Sequence, residues 1–197
     1  MAADAELEAQ IRSACDAKEY DRAATIALEG YGDELMSFLF ALLKSASDAD
    51  DVYGIVCESL WKSLPEFRWD SAFRTYAYTV ARHAWLKYVR DPRNRTPAAA
   101  LSSPSAEAVA AKAHTRTATY LRTETKDKVA ELRAQLDPED QTLLILRINR
   151  QLAWRDIAKI MNDEADDAAV TRAAAALRKR FERLKDDLRA KLAAGHE

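Results

Sequence analysis

Apolar positions along this chain recur at helical spacing, and no alternating run bounded by turn residues marks a strand. The pattern predicts helices over residues 4–18 and from Asp21 to Glu29. A break at Gly30 and Gly32 follows, and then a buried helix from Tyr31 to Lys44 carrying Leu35, Phe38, Leu39, Leu42 and Leu43. Asp48 is the expected cap of the next helix, which runs to about Ser63 and is ended by Pro65. Ser71 or Asp70 is the expected cap of a long helix reaching Arg90. On that helix Phe73, Tyr76, Ala77, Val80, Ala84 and Tyr88 form an apolar face directed to a core. Arg74, Tyr78 and Arg82 stack at a spacing of four on the other face, with Thr75, Thr79 and His83 beside them.

The pattern then lapses. Residues 91–105, DPRNRTPAAALSSPS, hold three prolines and three serines and read as the start of a linker. Glu107 to Gln135 is alanine-rich and partly helical in character, and Leu121, Val129 and Leu132 begin a second apolar set. Asp137 and Pro138 suit the cap and first position of a helix with Leu143, Leu144, Leu146 and Ile148. A break at Asn149–Gln151 precedes a short helix from Ala153 to Met161. A polar turn follows, and then a last helix capped by Asp166 or Asp167 and running to about Leu192. The resulting expectation is an all-α chain of two small helical domains, 1–90 and 120–197, joined by a flexible linker over 91–119.

Composition supports this. Only 4 Gly and 5 Pro occur in 197 residues, and 48% of residues are hydrophobic, enough for real cores. The net charge of −2 hides an asymmetry: residues 1–66 hold 5 Lys/Arg against 14 Asp/Glu, whereas 67–100 hold 7 against 2 and 171–197 hold 8 against 4. The two basic segments are separated by an acidic one, residues 137–170, with 4 Lys/Arg against 8 Asp/Glu, which suggests two places for nucleic acid. Cys15 and Cys57 lack the pairing of a zinc site and read as small buried apolar residues in a reducing compartment. The acidic N-terminus has no signal-peptide core, and no apolar run approaches a membrane span, so the expectation is a cytoplasmic protein with no membrane contact.

The chemistry indicated is binding. Cations interleaved with rings between Phe67 and Arg90 suit single-stranded nucleic acid, where cations track phosphates and rings stack on bases. Trp69 fits a base contact or domain-edge packing equally well, while Trp61 and Trp85 fit core or interface roles. Leu152 to Leu184 fits a helix-turn-helix: Ile157, Ala158 and Ile160 pack the first helix, and Val170, Leu177, Phe181 and Leu184 the second. Arg172, Arg178, Lys179, Arg180 and Arg183 supply outward charge. Trp154 and Arg155 start the first of these helices, where a phosphate contact is plausible. No phosphate-binding glycine loop, nucleophile constellation or metal spacing occurs, and His83, His114 and His196 are scattered; no enzyme activity, cofactor or metal is expected.

These elements, in this order, resemble the extracytoplasmic-function (ECF) sigma factors of bacterial RNA polymerase. The resemblance rests on Asp48-Ala49-Asp50-Asp51-Val52 followed by Leu60-Trp61, and on Phe73-Arg74-Thr75-Tyr76-Ala77-Tyr78 with Ala81-Arg82-His83-Ala84. It continues in the start at Leu136, the pair Ile157-Ala158, and a valine before a basic helix. The resemblance implies docking on core RNA polymerase by Asp48, Asp50, Asp51, Val52, Leu60 and Trp61. It implies melting and reading of the −10 promoter element by Arg68, Trp69, Arg74, Thr75, Tyr78, Thr79, Arg82, His83, Lys87 and Arg90. Reading of the −35 duplex would fall to Trp154, Arg155, Thr171, Arg172, Arg178 and Lys179. Core polymerase and promoter DNA are the implied partners, and an anti-sigma factor is common in the group. The chain differs from the family at Gly54-Ile55 (commonly Gln-Glu), Tyr76 (commonly Trp), His83 (commonly Asn), in a turn between Ile157 and Val170 that is about two residues longer than usual, and at Ala173–Ala176 (often Arg or Ser) in the last helix. Two other readings are a stand-alone helix-turn-helix regulator, which binds duplex DNA without polymerase, and a helical protein-interaction module.

Overall fold

The computed structural model describes residues 2–91, 135–162 and 166–194. Every regular element among them is helical. The chain divides into two compact units, Met1–Arg122 and Thr123–Glu197. The linker expected over 91–119, the helical character of Glu107–Gln135 and the apolar start at Leu121–Leu132 lie outside the described residues, apart from Asp91 and Gln135.

The first unit contains α1 (Ala2–Asp16), α2 (Tyr20–Leu43), α3 (Ala46–Ser63), a 3-10 turn at Leu64–Glu66 and α4 (Phe73–Arg90). α1 packs on α2, α2 on α3, and α4 closes against both α3 and α2. Ile11, Leu35, Phe38, Leu39, Val52, Val56, Leu60, Phe73 and Ala77 are buried to 1% exposure or less and form one core. Each large apolar side chain withdrawn from water there contributes roughly 1.5–3 kcal/mol.

The break expected at Gly30 and Gly32 does not occur. α2 runs unbroken for 24 residues, and neither glycine has positive φ. A glycine inside a helix costs about 1 kcal/mol against alanine, and packing overrides that propensity here. At Gly30 a β-carbon would lie 2.3 Å from Leu7 Cδ2, so the missing side chain lets α1 sit closely on α2. Two expected caps also differ. Ser45, not Asp48, caps α3, its Oγ accepting from the Asp48 N–H. α4 has Ala72 at its N-cap position, and neither Asp70 nor Ser71 caps it; the Ser71 hydroxyl donates to the Ala72 carbonyl.

The second unit contains α5 (Pro138–Leu144), a π-turn at Ile145–Asn149, α6 (Trp154–Asn162) and α7 (Asp167–Ala194). Asp137 caps α5 as its sequence predicts, its Oδ1 accepting from the N–H groups of Glu139 (2.9 Å) and Asp140 (3.0 Å). Asp166 caps α7 by accepting from the Ala169 N–H. Ile157, Ala158, Ile160, Val170, Leu177, Phe181 and Leu184 are all buried, as expected of a helix-turn-helix interior. Ile148, one of the apolar residues that the sequence places on this helix, is half exposed in the π-turn.

Candidate functional site

α4 does not present the face that its sequence suggests. Tyr78 is 0% exposed, Thr75 3% and Arg82 7%. Arg74 is largely covered and forks onto Glu34 of α2, with Nε–Oε1 and Nη2–Oε2 distances of 2.7 Å each. The Tyr78 ring meets Phe38 of α2 edge-on at 5.3 Å. The reason is that two helices cover α4. A helix on a single neighbour buries one stripe, here Phe73, Ala77, Ala81 and Ala84. With α2 against the adjacent side, the buried arc widens and takes in the row Arg74–Tyr78–Arg82. Tyr76, Val80 and Tyr88, expected to be inward, are instead only half-buried at its edge.

The outward ridge of α4 is therefore Tyr76, Thr79, His83, Lys87 and Arg90, spaced three or four apart. It exposes basic side chains, which the covered row of Arg74 and Arg82 does not. Beside it lies the loop 67–72. The Phe67 ring stacks on Tyr76 at 4.6 Å and 27°, and it contacts Trp69 at 4.9 Å and Phe73 at 5.6 Å. Trp69 adopts φ 61°, a left-handed conformation that costs a non-glycine residue about 1–2 kcal/mol. Its packing on Phe67 and under the Arg12 guanidinium, 5.3 Å from its ring centroid, offsets that strain. Both readings of Trp69 thus meet in one residue: its ring is packed at a domain edge, yet it stays partly open to solvent beside exposed Arg68.

On α3 the expected docking residues separate. Val52 and Leu60 are inside the core and cannot touch a partner while the unit is folded. Asp48 accepts a hydrogen bond from the Tyr88 hydroxyl at 3.1 Å, joining the start of α3 to the end of α4. Burial, then the neighbouring charges of Asp48 and Asp50, raise the pKa of Asp51 above the ordinary carboxylate value. The exposed apolar groups of this helix are Ile55 and Trp61, 41% and 49% exposed, with the Trp61 indole N–H held by Asp21 at 2.7 Å. Ile55 was not foreseen. Its signal lay in the Gly54-Ile55 departure, where an exposed β-branched residue follows a buried glycine.

In the second unit Thr171, Arg172, Arg178 and Lys179 are exposed on α7, as are Ala175 and Ala176. Arg180, expected outward, instead bonds Asp140 (2.6 Å) and Asp137 (3.1 Å) and clamps α7 to the start of α5. Arg155 donates to Thr171 Oγ1 and to Asp167, tying α6 to the first turn of α7. The Trp154 ring packs on Phe181 at 5.4 Å, with the guanidinium carbons of Arg147 and Arg178 at 4.8 and 5.7 Å. Trp154 thus organises the hairpin more than it faces outward.

Residues 28–96, which span α3, the aromatic loop and α4, match the family described as Sigma-70 region 2. The RNA polymerase sigma factor YlaC of Bacillus subtilis (strain 168) is 26% identical over 133 residues, covering 66% of this chain and 75% of that protein. Residues 28–96 thus carry a Sigma-70 region 2, and the chain is similar to a bacterial RNA polymerase sigma factor. No solved structure matched. Among the described residues of this chain, no helix is long and apolar enough to cross a membrane.

Proposed function

We propose that this chain is a sigma factor of the extracytoplasmic-function group that docks on core RNA polymerase through the exposed side of α3, captures the −10 element as a single strand with the loop 67–72 and the outer ridge of α4, and reads the −35 duplex with α7. It acts in the cytoplasm and contributes no catalytic group of its own. The observation that carries this reading is the Sigma-70 region 2 match, which spans the whole of α3, the loop and α4. The ridge of α4 has the half-buried rings of Phe67, Trp69 and Tyr76 at its start and exposed Lys87 and Arg90 at its end. Cations there track the backbone while the rings offer stacking surfaces. Docking falls to Asp51, Ile55 and Trp61 rather than to buried Val52 and Leu60.

Two results test the division. Ile55→Glu and Trp61→Ala each weaken binding to core enzyme by roughly tenfold, the loss typical of one buried interface anchor, without lowering the thermal midpoint. Equal binding by both variants in a fluorescence titration removes α3 from the interface. Lys87→Ala and Arg90→Ala each weaken promoter binding by the holoenzyme. Each also reduces the slope of log affinity against log salt by about 1, as a lost phosphate contact does. An unchanged slope excludes phosphate contact along the ridge. Tight duplex binding by the purified chain without core enzyme would instead favour a stand-alone helix-turn-helix regulator.

A further inference from the structure

α1 lies outside the matched region, which begins at residue 28, yet it supplies the cap that α4 lacks in its own sequence. Glu8 Oε2 accepts from the Phe73 N–H at 2.7 Å, and Oε1 accepts from the Arg74 N–H at 2.9 Å and from the Tyr31 hydroxyl at 2.8 Å. One carboxylate thus joins α1, α2 and the first turn of α4, and its charge sits at the positive end of the α4 dipole. Arg12 is one turn further along α1 on the same side, and its guanidinium covers Trp69. The loop 67–72 is therefore gripped from α1 at two points: the ring at its tip by Arg12, and the backbone just past its exit by Glu8. Trp69, at φ 61°, needs such support to hold its conformation.

We propose that Glu8 and Arg12 are positioning residues for promoter opening, holding the loop 67–72 and the first turn of α4 in the geometry that captures the unpaired strand. The inference rests on the −10 reading above and extends it to a helix outside the matched domain. A local cap separates positioning from stability. Ala72→Ser places a hydroxyl acceptor at the N-cap position, as Ser45 does for α3.

The test uses full-length variants assembled with core enzyme, on a promoter selected from a randomised library by the wild-type holoenzyme. Permanganate reactivity of unpaired thymines reads opening, and core affinity and the thermal midpoint are measured alongside. Glu8→Ala is expected to reduce the open fraction roughly tenfold, the weight of one charge-assisted hydrogen bond, with core affinity unchanged. Adding Ala72→Ser restores the midpoint but not opening, because the tie to α1 is still missing. Arg12→Ala reduces opening several-fold with little change in the midpoint. Recovery of opening together with the midpoint in Glu8→Ala/Ala72→Ser reduces Glu8 to a structural cap and overturns the proposal, as does wild-type opening by Arg12→Ala. Failure of the wild-type holoenzyme to open any promoter would instead overturn the underlying −10 reading, and the inference with it.

Discussion

Tyr78→Ala is expected to destabilise the first unit by about 3–5 kcal/mol, the range for removing a fully buried aromatic ring. Tyr78 has no exposed surface and meets Phe38 of α2 edge-on, so its loss opens a cavity where α2 and α4 join. One kcal/mol moves the midpoint of a domain of this size by about 4–8 °C, so a fall well beyond ten degrees follows. Tyr78→Phe keeps the edge contact and falls much less. Promoter opening and core binding decline together in Tyr78→Ala, because the whole unit is depleted. His83→Ala, on the exposed ridge, leaves the midpoint within a degree or two. Circular dichroism melts decide the matter: a Tyr78→Ala midpoint equal to wild type would put the ring back at the surface.

The expectation that this prediction replaces shows where the sequence stops being legible. The 3.6-residue period found α4 and, of its buried stripe, Phe73, Ala77 and Ala84, since that information is local. How wide the buried arc is depends on how many helices lie against α4, and no local pattern carries that. Glu8 shows the same limit in another form. Its partners Phe73 and Arg74 are 65 and 66 residues away, so a search for the α4 cap among adjacent residues settles on Ser71 or Asp70 and misses it. Arg180 reads as a free cation until Asp137 and Asp140 are brought to it from about forty residues upstream. By contrast, the seven residues read as the helix-turn-helix interior are all buried, because its two helices are neighbours in sequence and bury each other's stripes. The Gly30–Gly32 break failed for the opposite reason: a local propensity worth about 1 kcal/mol was outweighed by close packing of α1 on α2.

Glu34→Ala is the second large effect, at about 3 kcal/mol. Glu34 and Arg74 meet in a two-point fork with side chains only 18% and 22% exposed. The Glu34 hydrogen bonds, working against burial, hold the Arg74 pKa above its ordinary value, so the guanidinium stays charged across the working pH range. Removing the carboxylate strands that charge in a poorly solvated position, and breaking a buried pair from one side costs about 3–5 kcal/mol. The remaining exposure brings the expected loss to the lower end of that range. Replacing both partners by apolar residues of similar volume, Glu34→Leu with Arg74→Met, is expected to recover most of the stability, because neither charge then needs solvation. A cycle of Glu34→Leu and Arg74→Met, singly and together, followed by urea denaturation, therefore yields a favourable coupling of well over 1 kcal/mol, far above the value of an exposed pair. If Arg74 instead served DNA from the surface, Glu34→Ala would leave stability untouched and strengthen promoter binding by freeing a cation. A coupling near zero together with tighter binding would return Arg74 to the nucleic-acid face.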